Sequence, residues 1–500
     1  MNKKIHTVLI ANRSEVALRI QATCHTRGLC TVAVYAPEDI SLSYVANATA
    51  AYPLKGQGSS AYLQQDELIA IAKIAGADAV HPGYGFLSEQ ASFAQRVIDA
   101  GLIWLGPAPQ AMIAMASKER ARAIAQQAGV SVLEGVLVND LSSEGYQQAG
   151  AIAEQIGFPV IIKDPLGGGG KGMRRVMTAA DFPAAWDMVI AEATRQTNTG
   201  ALLIEKYILA GRHIEVQIAA DGVGAIHLFE RECSIQRRHQ KIIEEAPASF
   251  ISQELKDKLY QAACRLALAV AYDSIATVEF IVTPDEQWYF LEMNTRLQVE
   301  HGVTELVTGI DIVGLQIDLA LTGKLPLMQA DIQLHGHAIQ CRLYAENPRE
   351  RFMPSTGTIQ AISWPLHPRA RLEHDLHEGM EITPFFDPMI AKILCYGSHR
   401  GEAQIIMQSL LSRLFIAGIC TNQQLLQGIL QSALFANGGL HTQSLADFDM
   451  VLLLTQEQRL SLDDELYAGL AMVLSSMAEI PLPTTEVLSM GRRWKGQSWR

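Results

Sequence analysis

Between Phe290 and His301, polar and apolar residues alternate, and this run constrains the fold more than any other stretch of the chain. In an extended chain, alternate side chains lie on the same face, so a strand here would present its polar residues together. Those residues are Glu292, Asn294, Arg296, Gln298 and Glu300. A half-buried strand with a solvated face is the commoner cause of such alternation. Carboxylate and amide oxygens followed by a guanidinium are suited to bind a cation and then an anion, so we favour a binding site.

The bulk composition limits the class of protein. A chain of 500 residues is expected to form about three domains, and 49% hydrophobic residues are enough to build their cores. The net charge of -12 argues against a general nucleic-acid or membrane-surface binder, although a local basic patch is compatible with it. The seven cysteines contain no Cys-x-x-Cys pair, which fits a reducing cytoplasm and indicates no zinc site. No apolar run is long enough for a membrane span or a signal peptide.

The N-terminal part of the chain alternates between predicted strands and helices. We predict strands at 5–11, 31–35, 77–80 and 102–105, and a helix from Ser14 to about Thr26. Such alternation indicates a doubly wound parallel sheet, in which ligands bind at the carboxyl ends of the strands. The segment His81–Gly85 follows one of those ends. Its two glycines fit a tight loop near a ligand and a plain turn equally well.

A second unit begins near residues 131–135 and contains a glycine-rich loop. The predicted strand Pro159–Lys163 precedes the consecutive glycines Gly167–Gly170, which are followed by Lys171 and a partner strand, Met173–Val176. A loop between two strands differs from a P-loop, which opens a helix. Glycines let backbone N–H groups wrap phosphate oxygens, and the flanking lysines add positive charge. We therefore predict a phosphate-binding loop, with a flexible hairpin tip as the alternative.

Residues 231–241 form a dense cationic segment, which follows predicted strands at 201–205, 213–217 and 225–230. The cationic residues are Arg231, Arg237, Arg238, His239 and Lys241. A solvated loop would explain such a segment. In a protein with a net charge of -12, however, we favour an anion-binding site.

Two predicted strands between about 277 and 293 place acidic residues opposite each other. Counting back from the turn of this hairpin places Glu279 opposite Leu291 or Glu292. Two carboxylates that meet across a hairpin repel each other unless a cation lies between them. Mg²⁺ binds a few carboxylate oxygens together with phosphates and waters, so Glu279, Glu292 and Asn294 form a credible magnesium site.

Together these motifs resemble those of biotin carboxylase in the ATP-grasp superfamily, over roughly residues 5–445. Besides the run that ends at His301, the segments that carry the resemblance are Ala11–Arg13, His81–Glu89, Ile162–Lys163 with the glycine loop, Glu205–Tyr207, Arg212–Gln217, Cys233–Lys241 and Ala338–Arg342. The resemblance implies a mixed α/β and α+β fold. Its parts would be an N-terminal doubly wound parallel domain (1–115), an ATP-grasp region (116–320) with a mobile lid at about 134–207, and a mixed C-terminal domain with an antiparallel sheet (335–445).

By residue matching, the resemblance implies several groups of site residues. The nucleotide would be bound by Lys118, Lys163, Gly167, Gly168, Gly169, Gly170, Glu205, Lys206, Ile208, His213, Gln236 and His239. Two divalent ions, Mg²⁺ or Mn²⁺, would be bound by Glu279, Glu292 and Asn294. Bicarbonate would be bound by Lys241, Arg296, Gln298 and the Val299 N–H, with Glu300 as the base that deprotonates it. Arg342 would stabilise the biotin enolate, and Tyr84 would lie near the biotin ring.

The reaction implied by the resemblance is the ATP-dependent carboxylation of biotin by bicarbonate through carboxyphosphate. This is the first half-reaction of a biotin-dependent acyl-CoA carboxylase in fatty acid metabolism. Biotin would be a carrier-bound substrate, and because the sequence contains no Met-Lys-Met attachment motif, the carrier would be another chain or domain. A carboxyltransferase subunit, a homodimer and a cytoplasmic location are further family expectations, whereas no nucleic-acid or membrane partner is expected.

Several positions depart from the family pattern outside the implied catalytic residues. Ser14 and Gly302 stand where the family has glycine and proline, and the other departures are Ala116, Asp164–Leu166 and Ser274–Ala276. Pro165 would stiffen the lid hinge and Asp164 would add negative charge near the triphosphate, which affects the expected rate and ATP affinity. Two other functions stay open: another ATP-grasp carboxylate ligase, or a degenerate subunit that only binds nucleotide. Residues 451–500 are either the start of a truncated linker domain or a short C-terminal extension.

Overall fold

The computed structural model describes residues 4–165, 172–196, 200–238 and 240–447, all within the unit Met1–Phe448. The predicted glycine loop at Gly167–Gly170, His239 and the segment 451–500 lie outside these residues. None of the helices in the described part of the chain combines the length and the apolar character that crossing a bilayer demands.

Among the described residues, the first sheet contains five parallel strands. They are β1 (Thr7–Ile10), β2 (Cys30–Tyr35), β3 (Ala50–Pro53), β4 (Ala79–His81) and β5 (Ile103–Trp104), in the order β3-β2-β1-β4-β5. The helices of this region are α1 (Ser14–Thr26), α2 (Ser43–Asn47), α3 (Gly58–Ala61), α4 (Gln65–Ile74), α5 (Ala91–Asp99), α6 (Pro109–Ala116) and α7 (Lys118–Gln127). The pairings are all parallel and the central strands β1, β2 and β4 are mostly buried, which confirms the predicted doubly wound sheet.

The loop after β4 is tied to the end of β1. Asn12 Nδ2 donates to the carbonyl oxygens of Pro82, at 2.7 Å, and Tyr84, at 2.8 Å. At Gly83, φ is +65°, and a Cβ would approach Asn12 Nδ2 to 2.8 Å, so both the backbone and the available space require glycine. The loop is therefore a well-bonded turn that holds Tyr84 at the carboxyl edge of the parallel sheet.

Four described strands between residues 135 and 206 form an antiparallel sheet of their own, which we call the lid sheet. Its strands are β6 (Gly135–Val138), β7 (Val160–Lys163), β8 (Met173–Val176) and β9 (Leu202–Lys206), in the order β6-β9-β7-β8. The helices α8 (Ser143–Ile156) and α9 (Phe182–Gln196) pack on it. In this core, Trp186 stacks on Phe182 with the ring centroids 5.9 Å apart. The lid sheet lies within the range predicted for the lid.

The largest sheet in the described residues has eight antiparallel strands. They are β10 (Arg212–Ala220), β11 (Ala225–Arg237), β12 (Gln240–Ala246), β13 (Ile275–Val282), β14 (Trp288–Asn294), β15 (His337–Tyr344), β20 (Ala370–His374) and β22 (Met389–Gly397). Their order is β14-β13-β10-β11-β12-β15-β22-β20. We call this sheet the central sheet. Because β12 pairs with β15, the predicted regions 116–320 and 335–445 share it, and side chains from both regions reach the same face.

Shorter elements complete the described chain. The strands β16 (Glu346–Asn347), β17 (Met353–Pro354), β18 (Gly357–Thr358), β19 (Ala361–Ser363), β21 (Glu381–Ile382) and β23 (Phe415–Ala417) pair as β16-β17, β18-β21 and β19-β23. The remaining helices are α10 (Gln253–Ala269), α11 (His301–Thr308), α12 (Ile312–Thr322), α13 (Arg400–Arg413), α14 (Gln423–Gln431), α15 (Ala433–Ala436) and α16 (Ser444–Asp447). α10 begins after Ser252, whose Oγ accepts from the Leu255 N–H, and buries Leu259 and Leu266 in the core that it shares with the central sheet.

The run from Phe290 to His301 is not one continuous strand, contrary to the prediction from its alternation. β14 ends at Asn294, residues 295–300 form a loop whose last residues make a turn, and α11 begins at His301. The N–H of His301 donates to Gln298 O at 3.2 Å and closes this turn. The polar residues after Asn294 therefore do not extend the face of β14. Instead, Arg296 and Gln298 contact side chains of β13 and β14.

Candidate active site

Lys241 lies at the centre of three buried carboxylates. Its ammonium nitrogen is 2.6 Å from Glu215 Oε2, 2.8 Å from Glu279 Oε1 and 2.7 Å from Glu300 Oε1. These residues come from β12, β10, β13 and the turn before α11, so four parts of the chain meet at one ammonium group. Burial would lower the pKa of Lys241, but the three carboxylates raise it well above its usual range. Lys241 is therefore a permanent cation.

Glu300, the predicted base, is fully buried and bound by two cations. Its Oε1 accepts from Lys241, and its Oε2 accepts from Arg342 Nη2 at 3.0 Å. Arg342 Nε also donates to Glu244 Oε1. Burial raises the pKa of Glu244 to about 7, with Arg342 opposing this rise and Glu300 adding to it. A carboxylate whose two oxygens bind different cations is fixed in orientation, as a base for a small substrate must be.

Arg296 lies just after β14, and its guanidinium contacts several polar groups. Arg296 Nη2 donates to Asn294 Oδ1 at 2.9 Å, and Nη1 donates to Gln298 Oε1 at 3.1 Å. Arg296 Nε lies 3.0 Å from Glu89 Oε2. The amides of Asn294 and Gln298 donate to Glu279 Oε1 at 2.9 Å and 3.2 Å. The polar run therefore gathers around one carboxylate, although only its first part is a strand.

Glu279 and Glu292 lie opposite each other where β13 pairs with β14, which settles the predicted choice between Leu291 and Glu292. Burial would raise the pKa of Glu279, but Lys241 and His213 lower it to about 2, so this carboxylate is ionised. His213 Nε2 lies 3.1 Å from Glu279 Oε2. Burial would lower the pKa of His213, but Glu279 raises it to about 9.

The oxygens at this end of the hairpin suit a divalent cation. Glu279 and Glu292 face each other across the strands, and Asn294 follows two residues later on β14. Two carboxylates and an amide oxygen form a hard donor set of the kind that Mg²⁺ and Mn²⁺ prefer. The residues present therefore fit the metal ions that the sequence predicts.

Lys163, at the end of β7, lies among charged residues of the lid sheet and its surroundings. Its Nζ is 2.6 Å from Glu205 Oε2, and Arg122 binds Oε1 of the same carboxylate. Burial lowers the pKa of Lys163 to about 7; the charge of Lys118 adds to this shift, and that of Glu292 opposes it. Residues predicted to bind nucleotide and metal are thus within electrostatic reach of one another.

The segment that follows β9 is held by Gln443, which no sequence motif indicated. Gln443 Nε2 donates to Tyr207 Oη at 2.7 Å and to Ile208 O at 3.4 Å. Its Oε1 accepts from the Ala210 N–H at 2.9 Å. Lys206 Nζ donates to a backbone carbonyl before β7 at 2.7 Å. Lys206 and Ile208, both predicted to bind nucleotide, are thus bonded to the lid and to the C-terminal part of the chain respectively.

Three more of the predicted site residues form hydrogen bonds with other groups of the protein. They are Tyr84, Val299 and Gln236. Tyr84 Oη donates to Glu15 Oε1. Val299 O accepts from Lys392 Nζ at 3.2 Å. Gln236 Nε2 donates to a carbonyl of its own strand at 2.9 Å. Tyr84 and Val299 are thus each linked to a buried charged residue that has no predicted role.

The prediction of an anion-binding patch at residues 231–241 is wrong for Arg231 and Arg237. Arg231 is fully buried and donates to Glu215 Oε1 at 2.6 Å and to side chains of β10, β13 and α11. Arg237 pairs with Glu346 at 2.5 Å. A buried guanidinium must satisfy its donors inside the protein, so these two side chains support the sheet and not an anion.

The sequence contained signals for two of the site residues that were missed. Glu215 lies between His213 and Gln217, and this alternation on β10 marks a polar face in the same way as the run on β14. Lys392 is the only charged residue in the sequence of β22, and a lone lysine in an apolar strand is unusual. Gln443 carries no such signal, because its partners lie far away along the chain.

Three family models match consecutive parts of the chain. The biotin carboxylase N-terminal domain matches residues 4–112, and the ATP-binding domain of the carbamoyl-phosphate synthase L chain matches residues 117–328. The biotin carboxylase C-terminal domain matches residues 340–447. The order of the matches follows the order of the sheets described above.

Named relatives extend over most of the chain. A biotin carboxylase of Halalkalibacterium halodurans is 43% identical over 433 residues, which cover 86% of this chain and 95% of the relative. The mitochondrial α subunit of methylcrotonoyl-CoA carboxylase from Rattus norvegicus is 42% identical over 441 residues, which cover 88% of this chain and 61% of the relative.

Solved structures agree with these matches. Biotin carboxylase of Campylobacter jejuni, solved as a β,γ-ATP complex, has a TM-score of 0.85 and 38% identity, covering 89% of this chain and 99% of its own. The biotin carboxylase domain dimer of Hydrogenobacter thermophilus 2-oxoglutarate carboxylase, solved with MgADP, ADP and bicarbonate, has a TM-score of 0.85 and 37% identity, covering 89% and 97%. The fold is that of an ATP-grasp enzyme. The chain belongs to the biotin carboxylase family.

Proposed function

We propose that this chain catalyses the ATP-dependent transfer of a carboxyl group from bicarbonate to biotin, the first half-reaction of a biotin-dependent carboxylase. It is a ligase of the biotin carboxylase type. The observation that carries the proposal is the position of Glu300, whose two oxygens bind Lys241 and Arg342. A buried base thus lies between one cation suited to bicarbonate and another suited to a biotin enolate.

Bicarbonate must become a nucleophile before it reacts with ATP. Lys241 and Arg296 would balance its charge, Gln298 and the Val299 N–H would orient it, and Glu300 would remove its proton. Because Lys241 Nζ lies 2.7 Å from Glu300 Oε1, an anion bound to Lys241 is close to the base. Attack on the γ-phosphorus forms the O–P bond of carboxyphosphate and breaks the bond to the leaving ADP.

ATP is proposed to bind between the lid sheet and the central sheet. The residues proposed to hold it are Lys118, Lys163, Gly167, Gly168, Gly169, Gly170, Glu205, Lys206, Ile208, His213, Gln236 and His239. Among those described, Lys163 and Glu205 form an ion pair within reach of the charges of Lys118 and Glu292, which supports this placement. The relative from Hydrogenobacter thermophilus was solved with MgADP and bicarbonate, which supports both ligands here.

Glu279, Glu292 and Asn294 are proposed to hold two divalent ions, Mg²⁺ or Mn²⁺. When bound, such ions would offset negative charge on the phosphate groups. In this structure Asn294 Oδ1 accepts from Arg296 Nη2 at 2.9 Å. When this oxygen binds a metal ion, Arg296 would leave it and would be free to bind bicarbonate.

Biotin is proposed to receive the carboxyl group beside Arg342. Carboxyphosphate decomposes to CO₂ and phosphate, the released phosphate takes the ureido proton of biotin, and the resulting enolate attacks CO₂. A nearby cation stabilises such an enolate, and Arg342 would supply it while Tyr84 lies near the ring. The lid, at about 134–207, would exclude the water that hydrolyses carboxyphosphate.

The proposal extends to partners and to organisation. Biotin would arrive on a biotin carboxyl carrier protein or domain, and a carboxyltransferase subunit would use the product. A homodimer is proposed, as the domain from Hydrogenobacter thermophilus was solved as a dimer. The functional regions would be 1–115, 116–320 and 335–445, with 451–500 as an extension. The cysteines are free thiols, which fits the cytoplasm as the location.

The proposal is tested by measuring ADP release from the purified chain with Mg²⁺ and bicarbonate, with and without free biotin. We expect biotin to stimulate ADP release. Glu300→Gln should lower the stimulated rate by at least about 100-fold, because it removes the base. Glu254→Gln changes an exposed carboxylate on α10 and should leave the rate unchanged. ADP release that does not respond to biotin would contradict the proposal.

A further inference from the structure

Lys392 is a fully buried lysine that the proposed reaction does not use. It lies on β22, where it is the only charged residue, with an exposed fraction of 0%. A buried ammonium is costly unless anionic or carbonyl oxygens surround it, so its contacts indicate its role.

The register of the central sheet places Lys392 in a row of charged residues. Arg342 on β15 lies opposite Lys392, and Lys392 lies opposite Glu373 on β20. Directly opposed residues on neighbouring strands point to the same face of a sheet. Lys392 therefore faces the side on which Arg342 binds Glu300.

Three oxygens surround the ammonium group. Lys392 Nζ is 2.6 Å from Glu373 Oε2, 3.1 Å from Glu15 Oε2 and 3.2 Å from Val299 O. Burial would lower the pKa of Lys392, but Glu15 and Glu373 raise it. The group is therefore charged, and its two ion pairs and its hydrogen bond to Val299 O hold these oxygens around it.

Two of these contacts lead to the proposed substrate sites. The carbonyl of Val299 belongs to the peptide that joins it to Glu300, so Lys392 holds the backbone directly before the base. Glu15 binds Lys392 through one oxygen and accepts from Tyr84 Oη through the other. The ammonium also lies 5.5 Å from the centroid of the Tyr84 ring.

We propose that Lys392 is a positioning residue that sets the geometry of the bicarbonate and biotin sites together. It acts on bicarbonate through Val299 and on biotin through Glu15 and Tyr84, and it touches neither substrate. The inference rests on the proposed function, because it assigns Val299 and Tyr84 to those two substrates.

The test compares Lys392→Met with the wild-type chain and with two further variants. Lys392→Arg keeps the positive charge and should restore part of the lost function. Lys256→Met is a matched control, because it breaks a largely buried ion pair with Glu230, at 2.9 Å, away from the site. For each protein the KM for bicarbonate and for biotin are measured from ADP release, and the Kd for MgADP is measured by calorimetry.

Lys392→Met is expected to raise both KM values by at least about tenfold, because the groups that orient both substrates shift. The Kd for MgADP should change by less than about twofold, since Lys392 contacts none of the described residues proposed to bind nucleotide. The Lys256→Met control should leave all three constants unchanged.

A second variant covers the case in which Lys392→Met does not fold. Lys392→Met/Glu373→Gln removes one buried charge of each sign and should show the same rise in both KM values. Burial raises the pKa of Glu15 to about 7, with Lys392 and Arg342 opposing this rise and Glu373 adding to it. Glu15, which also binds Tyr84, can therefore take up a proton when Lys392 is absent.

Unchanged KM values in a folded variant would overturn the inference. An equal rise in both KM values and in the Kd for MgADP would also overturn it, because that pattern indicates a general loss of structure. Failure of the proposed function is seen separately, in the wild-type chain, as ADP release that biotin does not stimulate. In that case the role of Lys392 would also be contradicted, because it depends on the proposed function.

Discussion

Each cation at the centre of the site binds more than one buried carboxylate. Lys241 binds Glu215, Glu279 and Glu300, and Arg342 binds Glu244 and Glu300. Removing one of these charges leaves another unpaired in a medium of low dielectric constant, which costs stability as well as activity. Neutral replacements of similar shape, such as glutamine for glutamate, are therefore better probes of the chemistry than alanine.

Lys163 leads to a prediction about pH. Its pKa of about 7 means that it loses its proton as the pH rises above neutrality in the nucleotide-free chain. A bound phosphate group favours the protonated form, so binding at higher pH must be accompanied by proton uptake. The affinity for MgADP should therefore fall as the pH rises above 7, by up to about tenfold per pH unit. Calorimetry in two buffers of different ionisation enthalpy measures this uptake.

Lys163→Arg is the control for this prediction, because arginine stays protonated throughout this range. The variant should bind MgADP without the proton uptake seen for the wild-type chain at pH 8. Equal uptake in the two proteins would show that another group titrates, and the role assigned to Lys163 would be wrong.

At the scale of elements, α1 and α11 begin next to positions that depart from the family pattern. Ser14, the first residue of α1, has φ of +52°, in the left-handed region that favours glycine. Gly302 lies in the first turn of α11, where a Cβ would approach Leu394 Cδ2 to 2.5 Å. Leu394 on β22 thus occupies the space beside Gly302, and the two departures are opposite in kind: one adds a Cβ and one removes it.

Ser14→Gly is expected to stabilise the chain. Relief of the left-handed strain adds about 1–2 kcal/mol to the free energy of unfolding. The greater freedom of glycine in the unfolded chain subtracts about 0.5–1 kcal/mol. The free energy of unfolding should rise by about 0.5–1 kcal/mol, measured by urea denaturation. Ser14→Ala keeps the Cβ and the strain, so it should bring no gain. A decrease in stability for Ser14→Gly would contradict the strain seen at α1.

At the scale of the whole molecule, local patterns predicted local structure. The bounds of α1 and β8 match the prediction, because each depends on periodicity and turns within a short stretch. The pairing of Glu279 with Glu292 followed within one residue from counting along a hairpin. The loop at 295–300 was missed because its polar residues alternate like a strand while they bind one another.

Long-range structure could not be predicted in the same way. The pairing of β12 with β15 joins distant segments, and no local pattern indicates which strand edges will meet. The contacts of Lys392 with Glu15 and of Gln443 with Tyr207 likewise depend on the finished fold. Motifs thus pointed to the residues proposed to bind the substrates, whereas the contacts of the residues that support them could not be predicted from the sequence.

One site is proposed to couple ATP cleavage to the carboxylation of biotin. The most direct measurement follows the label from radiolabelled bicarbonate into free biotin while ADP is counted in the same sample. We expect labelled carboxybiotin to form together with ADP, to require ATP and Mg²⁺, and to be lost in Glu300→Gln. ADP release with bicarbonate and biotin present, but with no label in biotin, would contradict this coupling.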